Sequence, residues 1–157
     1  ALLLAFALVA VALMALDFLQ FKQEMAERPG VKTLADGIAA RTSIAVHLDA
    51  DGWPDDLRTD ADHLLYSAAR EFSTNAIKHA HADNLRFRLA HNGSRAELRI
   101  ADDGVGIPPD RLAQSVEDGH IGFASICTKV LATGGEFAVT GAPGTVISMT
   151  VPAAVSS

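Results

Sequence analysis

Hydrophobic residues are distributed very unevenly along the chain. Residues 1–16 read ALLLAFALVAVALMAL without one polar side chain, and the first 21 residues carry one charge, that of Asp17. A helix of 21 residues is about 31 Å long, which matches the hydrocarbon core of a bilayer. The pattern predicts an apolar helix over residues 1–27. This helix either spans a membrane or is buried in a helical bundle or dimer, because both kinds of helix are apolar on all sides.

Basic residues follow the apolar segment at Lys22, Arg28 and Lys32. If the segment spans a membrane, these charges place the rest of the chain on the cytoplasmic side. The sequence lacks an initiator methionine and the basic start of a signal peptide, so we expect it to begin inside a longer protein. If the segment spans, the prediction is a membrane anchor at residues 1–21, a linker at residues 28–41 and a cytoplasmic remainder.

Beyond the apolar segment, short alternating runs are interleaved with longer runs of helical period, which predicts both strands and helices. Strands are predicted at Ser43–Leu48, Asn84–His91, Arg95–Ala101, Glu136–Thr140 and Thr145–Val151, and helices at Val31–Ala40, Asp60–His81 and Ile121–Thr133. This order favours an α/β fold, a two-layer sandwich with helices on one face of a mixed sheet. The domain is predicted to cover residues 42–152, followed by a tail at residues 153–157.

Two connections have recognisable local chemistry. Asp49–Asp62 holds six of the nineteen acidic residues and is predicted to be a solvated loop, with Thr59 or Asp60 capping the helix that follows. Asn92-Gly93-Ser94 lies between two alternating runs, and an Asn-Gly pair in that position predicts a β-hairpin.

Composition narrows the classes of function. The 157 residues fit about one domain, and 13 basic against 19 acidic side chains give a net charge of −6. With 49% hydrophobic residues, the chain is neither disordered nor collagen-like, and its acidic balance argues against direct binding of nucleic acid. Cys127 is the one cysteine, which excludes an intramolecular disulfide framework and a cysteine-cluster metal site.

The long predicted helix carries a polar stripe. Glu71, Asn75 and Lys78 are spaced at i, i+4 and i+7 and fall within about 60° of one another at 100° per residue, with His79 beside them. The neighbouring arc is predicted to face the sheet: Leu65, Phe72 and Ala76. An amide oxygen suits Mg²⁺, an ammonium group offsets phosphate charge, and a carboxylate can orient or deprotonate a nucleophile. An ordinary solvated helix face has the same pattern.

Glycine-rich segments follow the predicted strands. Asp102–Ile107, DDGVGI, comes directly after a strand, where glycines allow close approach to a flat ligand and a carboxylate can accept a hydrogen bond from an amine such as that of adenine. Gly119–Phe123, GHIGF, opens a helix, where free N–H groups favour phosphate. Pro143-Gly144-Thr145 precedes the last strand. Each segment alone is also typical of a simple turn or helix start.

Together, these segments resemble the GHKL (Bergerat-fold) ATPases. They are most similar to the catalytic ATP-binding domain of bacterial sensor histidine kinases, in the subclass that partners NarL-type response regulators. The resemblance covers roughly residues 40–152. It rests on four matches: Glu71–Asn75 with Lys78-His79-Ala80 for the N box, Asp102-x-Gly104-x-Gly106 for the G1 box, Gly119-His120-Ile121-Gly122-Phe123 for the second glycine box, and Gly144-Thr145 for the closing element.

The resemblance implies ATP and Mg²⁺ as cofactors. Asp102 would bind the adenine amine, Asn75 would coordinate Mg²⁺, Lys78 would lie near the phosphates and Glu71 would polarise the attacking group, which makes the last three the expected catalytic residues. Residues 110–118 would form a mobile lid. The expected nucleotide-binding residues are Asn75, Lys78, His79, Asp102, Gly104, Gly106, Ile107, Gly119, His120, Ile121, Gly122, Phe123 and Thr145.

The resemblance also implies a phosphorelay from ATP to a histidine and then to a response regulator. None of the six histidines lies in the His-Asp motif of the subclass, so the phosphoacceptor is expected on a dimerisation domain in cis or in trans, within a homodimer. Two alternatives remain: an ATP-binding module without autokinase activity, favoured by the missing phosphoacceptor, and an anti-sigma-factor-type serine kinase, which shares the N and G1 boxes.

Overall fold

A five-stranded mixed sheet is the framework of the computed structural model, which describes residues 30–54, 57–107, 121–141 and 143–155. The strands run in the order β1-β2-β3-β5-β4. β1 is parallel to β2, and the other neighbouring strands are antiparallel. The strand bounds are β1 Ala45–Gly52, β2 Asn84–His91, β3 Arg95–Asp102, β4 Glu136–Gly141 and β5 Thr145–Pro152.

The helices cover one face of this sheet. They are α1 Val31–Arg41, α2 Asp62–Asn75, a π-helical turn Ala76–Ala80 that continues α2, and α3 Ile121–Ala132. Buried and exposed residues alternate strictly along the middle of β2 and β3, because one sheet face meets the helices and the other meets water. The predicted two-layer α/β sandwich is confirmed. Its largest fully buried side chains are Leu65, Leu85, Leu98, Met149, Val130 and Val151.

Three phenylalanines join the two main helices to the sheet edge. Phe72 of α2 packs edge-on against Phe123 of α3, with ring centroids 5.5 Å apart, and lies nearly parallel to Phe137 of β4 at 6.0 Å. Phe123 and Phe137 make a third edge-on contact at 5.4 Å. Aromatic pairs in these arrangements are stabilising beyond the area that they bury. This aromatic cluster, Phe72–Phe123–Phe137, therefore fixes α3 relative to α2.

The predicted strands are confirmed, with small shifts at their ends. β1 begins and ends later than predicted, whereas β2 matches its predicted bounds. The predicted hairpin is also present: Asn92 Oδ1 accepts the backbone N–H groups of Ser94 and Arg95, and Gly93 has a φ of 92°. The side chain of Asn92 and the left-handed glycine together close the turn, as the Asn-Gly pair predicts.

The predicted linker, residues 28–41, contributes helix α1 to the fold. Val31, Ala35 and Ile38 of this helix lie in the same core as the sheet residues. The predicted apolar helix at residues 1–27 lies outside the described residues. No helix within the described ranges combines the length and the hydropathy that a bilayer crossing requires.

The acidic segment between β1 and α2 differs from its prediction as a solvated loop. β1 continues through Gly52, and Trp53 is buried, with its ring edge-on to His91 at 5.7 Å and its carbonyl accepting a hydrogen bond from Lys32 Nζ at 3.0 Å. Thr59 is buried and pairs with Val155. The indole of Trp53 adds a large apolar area to the core. The prediction of a solvated loop rested on the number of acidic residues and did not take this area into account.

The start of α2 also differs from the prediction that Thr59 or Asp60 caps it. Ala61 precedes the first helical residue and provides no side-chain cap. Thr59 instead folds the preceding turn, since its Oγ1 accepts the N–H of Ala61 and donates to Asp62 Oδ1 at 2.7 Å. Asp60 Oδ1 accepts the N–H of Ala154, which ties the turn to the end of the chain.

Candidate nucleotide site

Glu71 and Asn75 lie half-buried at the end of α2. Asn75 Nδ2 points toward Glu71 Oε1 at 3.5 Å, so the amide oxygen of Asn75 is turned away from the carboxylate. That oxygen is therefore available as a neutral ligand for a hard cation. Among the described residues, no group of three or more His, Cys, Asp or Glu side chains could hold a metal ion. Since Mg²⁺ is commonly held by one or two side chains together with substrate phosphates, Asn75 fits that type of site.

Lys78 and His79 do not continue the regular helix that was predicted for Asp60–His81. The helix widens after Asn75 into the π-helical turn Ala76–Ala80, and both side chains are exposed. The angle between successive residues is smaller in a π-helical turn than in an α-helix. The predicted polar stripe is therefore regular only from Glu71 to Asn75, and Lys78 and His79 are rotated away from their predicted positions. π-Helical turns are frequent at functional sites. The chain leaves this turn through His81, which adopts a left-handed conformation with φ 50° and ψ 40°.

Glu71 also lies directly against the start of α3. A Cβ atom added at Gly122 would overlap the carboxylate of Glu71, so a residue without a side chain is required there while Glu71 keeps this position. The carboxylate is thus next to the N-terminal end of a helix, where free N–H groups and the helix dipole favour negative charge. The contact brings the start of the N box and the second glycine box together.

The loop after β3 is held against the π-helical turn. The N–H of Val105 donates to the carbonyl of Ala80 at 2.8 Å, and the N–H of Gly144 donates to the carbonyl of Gly104 at 2.9 Å. Gly104 lies so close to Ala80 that an added Cβ would overlap the Ala80 carbonyl oxygen and lie 2.7 Å from its Cβ. Asp102 Oδ1 accepts the N–H of Gly104 at 2.9 Å. The glycine loop and the end of the N box thus form one continuous wall.

Thr145 and Ile107 complete the other side of this wall. Thr145 is buried and lies opposite Asp102 in the pairing of β3 with β5. The backbone of Ile107 runs against Gly141, where an added Cβ would lie 3.1 Å from the Ile107 nitrogen. Gly106, which directly precedes Ile107, has a φ of 74°, a conformation that suits glycine. The adenine-side residues predicted from the sequence therefore lie together.

The second glycine box is only partly described. Gly119, His120 and the predicted lid at residues 110–118 lie outside the described residues. Ile121 begins α3, and Gly122 follows it against Glu71. The side chain of Phe123, predicted to bind nucleotide, is buried in the aromatic cluster.

Asp103 and Asn84 connect the glycine loop to the start of β2, a contact that was not predicted from the sequence. Asp103 Oδ1 accepts the backbone N–H groups of Asp83 and Asn84 at 2.9 and 2.8 Å, and its Oδ2 accepts a hydrogen bond from Asn84 Nδ2 at 2.6 Å. The Asn84 side chain first, and then the backbone N–H groups, hold the pKa of the Asp103 carboxyl below its usual value of 3.8. A second aspartate directly after a strand was the available signal, since Asp side chains commonly bind backbone N–H groups at turns.

The lowered pKa of Asp103 predicts a pH dependence of stability. A carboxyl whose pKa is lower in the folded chain stabilises the fold above its unfolded pKa, and this contribution is lost as the pH falls through the folded pKa. We expect urea unfolding to show a wild-type advantage over Asp103→Ala at pH 7 that shrinks below about pH 4. An advantage that stays constant down to pH 2 contradicts the assignment.

Comparison with known proteins identifies the family of this chain. Residues 59–155 match the family model described as histidine kinase-, DNA gyrase B- and HSP90-like ATPase. The chain is 34% identical over 125 residues to the sensor histidine kinase NarS of Mycobacterium tuberculosis, covering 79% of this chain and 29% of NarS. The chain thus spans less than a third of that relative.

Solved structures of low sequence identity share the fold. The histidine kinase domain of the blue-light activated kinase of Erythrobacter litoralis superposes with a TM-score of 0.61 at 24% identity, over 78% of this chain and 58% of that one. The mycobacterial sensor histidine kinase MprB superposes with a TM-score of 0.60 at 24% identity, over 80% of this chain and 92% of that one.

Proposed function

Because the chain belongs to the family of histidine kinase-, DNA gyrase B- and HSP90-like ATPases, we propose that it is the ATP-binding catalytic domain of a bacterial sensor histidine kinase. The observation that carries the proposal is the hydrogen bond from Val105 N to Ala80 O at 2.8 Å. It joins the glycine loop after β3 to the end of the polar helix, two motifs 20 or more residues apart in the sequence. One wall then presents both adenine-binding and phosphate-binding chemistry.

The adenine half of the proposed site depends on Asp102. Its Oδ1 is occupied by the N–H of Gly104, and the described residues provide no hydrogen bond to its Oδ2. Oδ2 is therefore the atom that would accept the exocyclic amine of adenine. The same oxygen would repel the O6 acceptor of guanine, which provides selection for ATP over GTP. Thr145, opposite Asp102 on β5, would pack beside the base.

The phosphate half of the proposed site depends on the end of α2 and the π-helical turn. The amide oxygen of Asn75 would bind Mg²⁺, which neutralises charge on the phosphates during transfer. Lys78 is exposed and can reach a polyphosphate, and His79 lies beside it. Glu71, held between Asn75 and Gly122, would orient the attacking group. Positioning and charge neutralisation are the main requirements of phosphoryl transfer.

The whole protein would pass the γ-phosphate to a histidine outside this sequence and then to a response regulator. The similarity to the sensor histidine kinase NarS supports the histidine kinase part of this proposal. The subclass that partners NarL-type regulators is proposed from the resemblance of the motifs. The apolar residues 1–21 would anchor the protein in the bacterial membrane, and the ATP site would face the cytoplasm. A dimerisation domain, in cis or in trans, would present the histidine to the site.

Calorimetric titration of the chain with MgATP tests the proposed function. We expect wild-type binding, and a loss of roughly 10- to 100-fold in affinity for Asp102→Asn. The asparagine oxygen would still accept the N–H of Gly104, which leaves an amide donor facing the adenine amine. Asp36→Asn is the matched control, since it makes the same change on an exposed position of α1. Absence of wild-type binding, or equal binding by Asp102→Asn, refutes the site.

A further inference from the structure

The carboxylate of Asp103 closes the end of the β2–β3 ladder. Leu85 pairs with Asp102, so Asn84 and Asp103 are the next opposing pair beyond the last paired residues. At this place the Asp103 side chain, rather than a backbone carbonyl, accepts the N–H groups of Asp83 and Asn84. The backbone of Asp103 is thus free to turn away from β2 and enter the glycine loop, while its side chain keeps the loop attached to the strand.

Asp103 is hydrogen-bonded to the start of β2. In the chain, this start directly follows the phosphate half of the proposed site. Asp83 and Asn84 follow the π-helical turn through His81, whose left-handed conformation produces the sharp change of direction. Ala80, the last residue of that turn, accepts the N–H of Val105. The glycine loop is therefore held at two successive points along the helix-to-strand corner, residues 80–84.

Both carboxylate oxygens of Asp103 accept hydrogen bonds from residues of the corner. Oδ1 takes two backbone N–H groups, and Oδ2 takes the Asn84 amide at 2.6 Å, which is short, as expected for a charged acceptor. Asp103 is itself exposed, so its burial contributes little to the core. Its contacts thus serve to position the loop rather than to pack the interior.

We propose that Asp103 is a positioning residue for nucleotide recognition: its carboxylate fixes the glycine loop to the helix-to-strand corner and so sets where Asp102 lies relative to Asn75. This inference rests on the proposed ATP site. Asp102 and Asn75 belong to different halves of that site, and the corner is the short connection between them. The Asp103 carboxylate bonds Asp83 and Asn84 of the corner, so its effect on binding would pass through the position of Asp102.

The test measures affinities of the whole chain for ATP and GTP in three variants. Asp103→Ala removes all three bonds, and we expect about a tenfold loss of ATP affinity together with a reduced preference for ATP over GTP. Asp103→Asn keeps an oxygen for the two backbone N–H groups, and its amide can donate to Asn84 after that side chain flips. It should therefore recover most of the loss.

Glu136→Ala is the matched control. It removes the same charge from an exposed position on β4 and should leave both affinities unchanged.

The change in nucleotide preference separates positioning from general destabilisation, because partial unfolding weakens ATP and GTP equally. If wild type binds ATP and Asp103→Ala keeps both its affinity and its preference, this inference is overturned and the proposed function stands. If wild type does not bind ATP, both are overturned. Should Asp103→Ala not fold, Asn84→Ala decides: it removes only the bond to Oδ2, and a preference equal to that of wild type overturns the inference.

Discussion

Replacing Phe72 with alanine is expected to lower the free energy of unfolding by about 3–5 kcal/mol. Phe72 is 4% exposed and contacts both Phe123 and Phe137, so the substitution leaves a cavity between α2, α3 and β4. Since single domains are stable by only about 5–15 kcal/mol, this loss is a large part of the total. Urea unfolding, followed by a signal from secondary structure, measures it directly.

Leu131→Ala is the matched control for the Phe72 variant. Leu131 is also a large apolar residue on a helix, but it is 57% exposed, so its truncation should cost no more than about 0.5 kcal/mol. Equal unfolding midpoints for the two variants contradict the central role of the aromatic cluster. A selective effect of Phe72→Ala supports it, and the cluster then accounts for how α3 is held with Gly122 against Glu71.

Gly104→Ala is expected to weaken ATP binding by at least about tenfold, or about 1.4 kcal/mol, and to destabilise the fold by about 1–3 kcal/mol. The backbone of Gly104 is not in the left-handed region, so alanine is conformationally permitted there. The cost comes instead from overlap of the new Cβ with the Ala80 carbonyl, a backbone group that cannot rotate away. The loop must then move off the π-helical turn, which displaces Asp102. Calorimetry with MgATP and urea unfolding measure the two effects.

Gly93→Ala is the control that separates the loss of ATP affinity from the loss of stability expected for Gly104→Ala. Gly93 lies in the β2–β3 hairpin with a φ of 92° and open space around it, so alanine there causes backbone strain of about 1–2 kcal/mol without a clash. We expect a loss of stability without a loss of ATP affinity. If both variants lose affinity in proportion to stability, the close approach of Gly104 to Ala80 has no specific role in binding.

The sequence predicted the sheet well because its strands have one buried and one solvated face. β2 and β3 alternate between apolar residues such as Phe87 or Leu98 and charged residues such as Arg88 or Arg99, and a period of two is a local signal. The hairpin between them was equally readable, since Asn92-Gly93 fixes a turn by its own side chain and backbone. These features depend on neighbours within a few positions of the chain.

The sequence predicted which residues belong to the candidate site. It did not predict how these residues are arranged in space. Glu71, Asn75 and Asp102 were identified from their chemistry and their order. The contact of Glu71 with Gly122 joins positions that are far apart in the sequence, and no local pattern encodes it. The π-helical turn was missed for the same reason, because the sequence Ala76–Ala80 has no distinctive composition and the i+5 period arises where the helix meets the glycine loop.

By itself, the sequence determined the order of strands and helices along the chain and the alternation that marks the buried face of β2 and β3. It also provided the residues that we propose to bind adenine, phosphate and Mg²⁺. Only the tertiary structure decided that Trp53 is buried, that Phe123 belongs to the core and that Asp103 clamps the glycine loop. The physical reason is the range of the interactions. Hydrophobic period and turn chemistry act between close neighbours, whereas close packing and hydrogen bonds at the helix-to-strand corner act between segments that meet only after the sheet has formed.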